Sequence, residues 1–73
     1  MVEFALKINR GQKVMYIPKE IINTLGFEWK AIPNSAALVA FARDADLRTV
    51  EKSVEIILAD LSLRLEKEGP KQG

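Results

Sequence analysis

The chain of 73 residues contains no cysteine and no histidine. No disulfide can therefore staple the fold, and the usual zinc ligand sets and nucleophile–base pairs are missing. Its four glycines form no Gly-rich phosphate loop. No apolar run approaches the ~20 residues of a membrane-spanning helix, and the first residues do not read as a signal peptide. Glu51 and Glu55 lie one helical turn apart, a spacing that can serve acid–base chemistry, but Arg48 and Lys52 flank them and mark a solvated helix surface. These absences predict a soluble, intracellular, cytoplasmic protein that is not an enzyme and needs no cofactor or metal.

Hydrophobic residues are abundant, at 48%. A single domain this short buries only ~60% of its unfolded surface. That much apolar side chain predicts a homo-oligomer in which part of the core lies between chains. The net charge of +1 is unevenly placed. Residues 1–43 carry six Lys or Arg against three Asp or Glu, whereas residues 44–73 carry five against seven. The first part suits a polyanionic partner; the alternative is ordinary solvated surface.

The centre of the pattern is Met15-Tyr16-Ile17-Pro18-Lys19-Glu20-Ile21-Ile22-Asn23-Thr24-Leu25-Gly26. An apolar β-favouring run meets Pro18, which cannot donate to a strand ladder but fits the first turn of a helix. Ile21, Ile22 and Leu25 then recur at helical spacing, and Gly26 is placed to end the helix in a left-handed cap.

Upstream, Val2, Phe4, Leu6 and Ile8 alternate with Glu3, Ala5, Lys7 and Asn9, which predicts a strand with one buried face. Asn9-Arg10-Gly11-Gln12 reads as a turn with Gly11 supplying the positive φ, and Lys13–Ile17 as the second strand of an antiparallel hairpin. Downstream, Phe27 to Ile32 alternates with Phe27, Trp29 and Ala31 on one face, and Pro33-Asn34-Ser35 is a turn. Ala36 to Ala42 has no polar residue, as in a strand covered on both faces. So short a chain has few elements to supply that cover, and a partner subunit would.

From Asp46 the period becomes helical. Leu47, Val50, Val54, Ile57, Leu58, Leu61 and Leu65 share one stripe, Asp44 or Asp46 is the N-cap, and Gly69-Pro70 is the stop, giving a helix over 46–68. Ile56 and Leu63 form a second row on the back of that helix. They read either as a further helix contact or as part of a helix wedged in a compact core.

The first 43 residues resemble the AbrB/MazE/SpoVT group of swapped-hairpin DNA-binding domains. The resemblance is carried by Tyr16-Ile17-Pro18-Lys19-Glu20-Ile21 followed by Thr24-Leu25-Gly26-Phe27, with Gly11 and the Pro33-Asn34-Ser35 hairpin in the corresponding places. It leaves the long helix outside. It implies an α+β fold: a small swapped-hairpin β-barrel dimer with a short helix after strand 2, here followed by a long C-terminal amphipathic helix. The chain then divides into a strand–helix–strand part, 1–43, the helix, 44–68, and a flexible tail, 69–73. The sequence departs from DNA-binding relatives in carrying Ile22 and Asn23 where arginines are common, and Val14 in place of a basic strand residue.

Two functions follow from this reading. One is a homodimer that binds double-stranded DNA as a transcriptional regulator, antitoxin-like or chromatin-associated protein. Its candidate contacts are Lys7, Asn9, Arg10, Gln12, Lys13 and Lys19, with Lys30 in addition. The other is a dimeric or higher-order interaction module of the same fold, without DNA, that holds a protein partner through its C-terminal helix. Tyr16 and Trp29 present faces on which bases can stack, but aromatic residues in so small a sheet read first as packing. They join Ile22, Leu38, Phe41, Ile56 and Leu63 as the candidate dimer or partner interface.

Overall fold

The computed structural model describes residues 1–69. It is α+β, with elements in the order β1 (Ile8–Asn9), β2 (Val14–Met15), α1 (Lys19–Leu25), β3 (Trp29–Pro33), β4 (Leu38–Ala42) and α2 (Leu47–Glu68). Val2–Asp44 is one compact unit. Met1 and residues 45–69 form the other. Of the tail expected over 69–73, all but Gly69 lies outside the described residues.

In the first unit two antiparallel ribbons form separate two-stranded sheets. The closed barrel expected from the resemblance is absent from this single chain, because neither ribbon hydrogen-bonds to the other. β1 and β2 share only the pairs Ile8↔Met15 and Asn9↔Val14. The strand expected over 2–8 thus shrinks to its last residue plus Asn9, and that over 13–17 to Val14–Met15. Alternation marks which side chains share a face, but a strand also needs a ladder partner, and Val2–Lys7 has none among the described residues. On the other side of the ribbon, Pro18 offers no N–H to extend it.

The helix α1 begins after Pro18, whose carbonyl accepts from the N–H groups of Ile21 and Ile22 at 3.0 and 3.2 Å. It ends at Gly26, which has φ 83° and ψ −159° and whose N–H donates to Ile22 O at 2.7 Å. This is positive φ, as the sequence requires, but with a ψ that only glycine adopts readily. The indole Nε1–H of Trp29 then donates to the Gly26 carbonyl at 2.8 Å, tying the helix end to the start of β3.

β3 and β4 pair over five residues, from Trp29↔Ala42 to Pro33↔Leu38. Ala36 and Ala37 fall in the connecting loop, which Asn34 closes: its N–H donates to Ala37 O at 2.7 Å and its Oδ1 accepts from Ser35 N–H at 2.6 Å. Only Phe41, at 7% exposure, is a buried hydrophobic residue among those described.

In the second unit α2 follows the period read from the sequence, with Asp46 as N-cap. The Asp46 side chain accepts from Thr49 Oγ1 at 3.3 Å and makes no bond to a first-turn N–H. Asp60 and Arg64 form the expected i,i+4 pair at 2.7 Å. The Met1 amino group lies 3.6 Å from Asp60 Oδ1, and the Met1 carbonyl accepts from Arg64 Nη2 at 3.0 Å. No side chain of α2 is fully buried. None of the described helices is long and apolar enough to cross a membrane.

Candidate nucleic-acid interface

The β1–β2 hairpin presents the densest group of candidate contacts. Its four-residue loop, Arg10-Gly11-Gln12-Lys13, is built by Asn9. The Asn9 backbone carbonyl accepts from Lys13 N–H at 2.6 Å, and its side-chain Oδ1 accepts from Gln12 N–H at 2.9 Å. Two bonds from one residue close the loop as an α-turn reinforced by an Asx contact.

The last loop residue carries the left-handed backbone. Lys13 has φ 58°, and Gly11 does not have positive φ. That corrects the expectation for Gly11. A loop closed by an i→i+4 bond turns the chain back at its final residue, and here that residue is a lysine. The strain in this conformation is of order 1 kcal/mol.

Arg10, Gln12 and Lys13 are therefore exposed residues of one short loop, with Lys7 immediately before β1. Asn9 is also exposed, but its carboxamide oxygen is already engaged with the loop. Lys7, Arg10 and Lys13 form no ion pair among the described residues. Lys19 stands apart, on the first turn of α1, and Lys30 lies on β3 opposite Phe41. Arg43 is drawn away from this group. Its guanidinium pairs with Glu28 at 3.1 Å, and its N–H donates to Glu28 O at 2.9 Å, closing the end of the β3–β4 ribbon. Both of those side chains are well exposed, so the ion pair adds little stability.

The candidate interface residues fall in different surroundings. Tyr16 is 82% exposed immediately after β2. Ile22 and Trp29 are half-buried, Leu38 is exposed, and Phe41 is buried. The pleat separates Trp29 and Leu38 from Phe41: pairs Trp29/Ala42, Ala31/Ala40 and Pro33/Leu38 share one face, and Lys30/Phe41 and Ile32/Val39 the other. Ile56 and Leu63, on α2, are 60% and 57% exposed.

One residue that the sequence placed on the same strand face as Trp29 stands out in the structure. Phe27 is 89% exposed, the most of any large apolar side chain described, because it precedes the β3 ladder and follows the positive-φ glycine. The apolar residue directly after Leu25-Gly26 was the available signal. No protein-family model, no curated protein and no solved structure matches this chain.

Proposed function

We propose that this chain is a homodimeric DNA-binding module of the swapped-hairpin kind, which contacts duplex phosphates through its β1–β2 tip. The observation that carries the reading is the tip itself: Arg10 and Lys13 in a loop pinned by two Asn9 hydrogen bonds, with Lys7 immediately before β1 and no acidic partner for the three among the described residues. Such a group positions a protein on the backbone, and Arg10, Gln12 and Asn9 in the turn are the best candidates to reach a base edge. The open apolar side chains of the same unit support a second copy. Tyr16, Phe27, Ile32 and Leu38 are all exposed within Val2–Asp44.

Doubling the three tip cations gives roughly six phosphate contacts, hence a slope of log affinity on log salt near −5 and a loss of about 10³ between ~50 and ~200 mM salt. Arg10→Ala with Lys13→Ala removes four of the six and should reduce the slope to about −2. Binding that is absent even at ~50 mM salt, or a slope unchanged in the double variant, refutes the assignment of the tip.

A second reading rests on Ile56 and Leu63, which stay exposed on α2 directly opposite its main stripe. In that reading the chain is a dimeric interaction module without DNA, and this row holds a protein partner. Two measurements separate the readings: a parent chain that binds no duplex even at ~50 mM salt, together with a lower light-scattering mass for Ile56→Glu with Leu63→Glu, favours the second, whereas duplex binding with an unchanged mass in that variant refutes it.

A further inference from the structure

The second unit carries an apolar stripe of its own. Leu47, Val50, Val54, Ile57 and Leu61 recur along α2 at spacings of three, four, three and four residues. This is the a/d repeat by which one helix packs against another, and Arg64 occupies the next d position. Val50 and Val54 are half-buried, and Leu47, Ile57 and Leu61 are exposed. The stripe is therefore unfilled within its own unit.

We propose that α2 pairs antiparallel with the α2 of a second copy of this chain through that stripe. The apolar spacing alone permits either direction, and the charges beside it select one. Antiparallel register sets Val50 against Leu61 and Val54 against Ile57 of the second copy. At the ends it sets Leu47 against Arg64, whose aliphatic stem covers the leucine while its guanidinium stays with Asp60 at 2.7 Å. The flanking positions then bring Asp46 opposite Lys67 of the second copy, once at each end of the pair. Parallel register would instead bring Asp46 beside Glu51 of the second copy, like charges at both flanks. The helix dipoles favour the same choice, since each positive N-terminus meets a negative C-terminus.

Zero-length carbodiimide cross-linking of the unmodified full chain tests this directly. Asp46 and Lys67 of one helix are separated by about 31 Å of helix axis, so a peptide joining them arises only between two copies. The expected product is that Asp46–Lys67 cross-link, at protein concentrations where sedimentation shows association. Its absence there, or a chain that does not associate, overturns the proposal.

A second measurement uses the lack of native cysteine. Val50→Cys and Leu61→Cys are refolded together in equal amounts and treated with a short bis-maleimide. The mixed product, distinguished by mass, should exceed either homodimeric product several-fold. Homodimeric products in equal or greater yield mean parallel pairing and refute the register. Lys67→Glu in the same background should lower the mixed product about threefold or more, and an unchanged yield counts against the flanking pair. Duplex binding is read separately by the salt slope of the tip variants, so either interface can fail alone.

Discussion

Replacing Gly26 with alanine adds a single methyl group to the junction between α1 and β3. That methyl would meet no atom within 4 Å, so no clash opposes it. The opposition lies in the backbone: φ 83° with ψ −159° is a conformation that residues with a Cβ scarcely populate, and holding one there costs about 1–3 kcal/mol. Alanine returns part of this by restricting the unfolded chain, about 0.4–1 kcal/mol, so the net loss is ~1–2 kcal/mol. At a denaturant slope of ~1 kcal/mol/M for so small a chain, the urea midpoint should fall by ~1–2 M. Trp29 is the only tryptophan, and it donates to the Gly26 carbonyl, so its fluorescence reports unfolding from the perturbed site itself. Gly11→Ala is the internal control. Gly11 lacks positive φ, and the nearest atom to an added methyl is Asn9 Oδ1 at 3.5 Å, an ordinary contact. The same chemical change should there be neutral or stabilising by up to about 1 kcal/mol. Measurements belong at one protomer concentration, since association shifts apparent stability. A Gly26→Ala protein as stable as the parent, or a Gly11→Ala protein destabilised as much as Gly26→Ala, would refute the reasoning.

Lys13→Gly should raise stability by a few tenths to about 1 kcal/mol in urea unfolding, because it relieves a left-handed lysine at the smaller entropic cost of a glycine. The same variant should lower the DNA salt slope by about two in the dimer, so stability and affinity move in opposite directions. Asp60 has its pKa lowered, first by the hydrogen bond from Arg64 and further by the charges of Arg64 and the Met1 amino group, with desolvation opposing. A depressed carboxylate stabilises the folded state above its unfolded pKa and loses that contribution as pH falls through its folded pKa. Thermal melts of the parent and Asp60→Asn should therefore differ at neutral pH and converge in acid below the ordinary carboxylate range. A gap that is constant from pH 7 into strong acid would show that the ionised form contributes nothing.

Helices were the legible part of the sequence. A period near 3.6 identifies its own face, and α2 begins and ends where Asp46 and Gly69 place it. Pro18 and Gly26 bounded α1 in the same way, because their conformational limits are intrinsic to the residues. Strands are not self-contained. Val2, Phe4, Leu6 and Ile8 alternate cleanly, yet only Ile8 joins a ladder, since a strand exists only where another offers hydrogen bonds. The turn shows the same limit at shorter range. Gly11 can adopt positive φ, but the two bonds to Asn9 decide where it is needed, and they put it on Lys13. At the candidate site, charge was legible as Lys7, Arg10 and Lys13. Asn9 was not legible as the loop's own scaffold, because its side-chain oxygen can serve either the backbone or a ligand.

The β3–β4 ribbon shows why the tip and the apolar surface belong to one explanation. Its two faces are nearly all apolar: Trp29, Ala31, Pro33, Leu38, Ala40 and Ala42 on one, and Ile32, Val39 and Phe41 on the other with only Lys30 between them. A ribbon solvated on one side would alternate polar residues onto that side, and this one does not. An isolated two-stranded ribbon is marginal in water, and Phe41 is its sole buried side chain. Its composition thus demands cover that the short β1–β2 ribbon, with two residue pairs, is too small to supply. The proposed second copy would supply it without any new sequence, and the operation that doubled the apolar contacts would also double the cationic loops. Three cations without an acidic partner among the described residues are unremarkable surface on a lone unit, whereas six on a pair of loops would make a salt-dependent grip on a polyanion. On the proposed reading, association is the step on which both the stability of this unit and any affinity for DNA would depend.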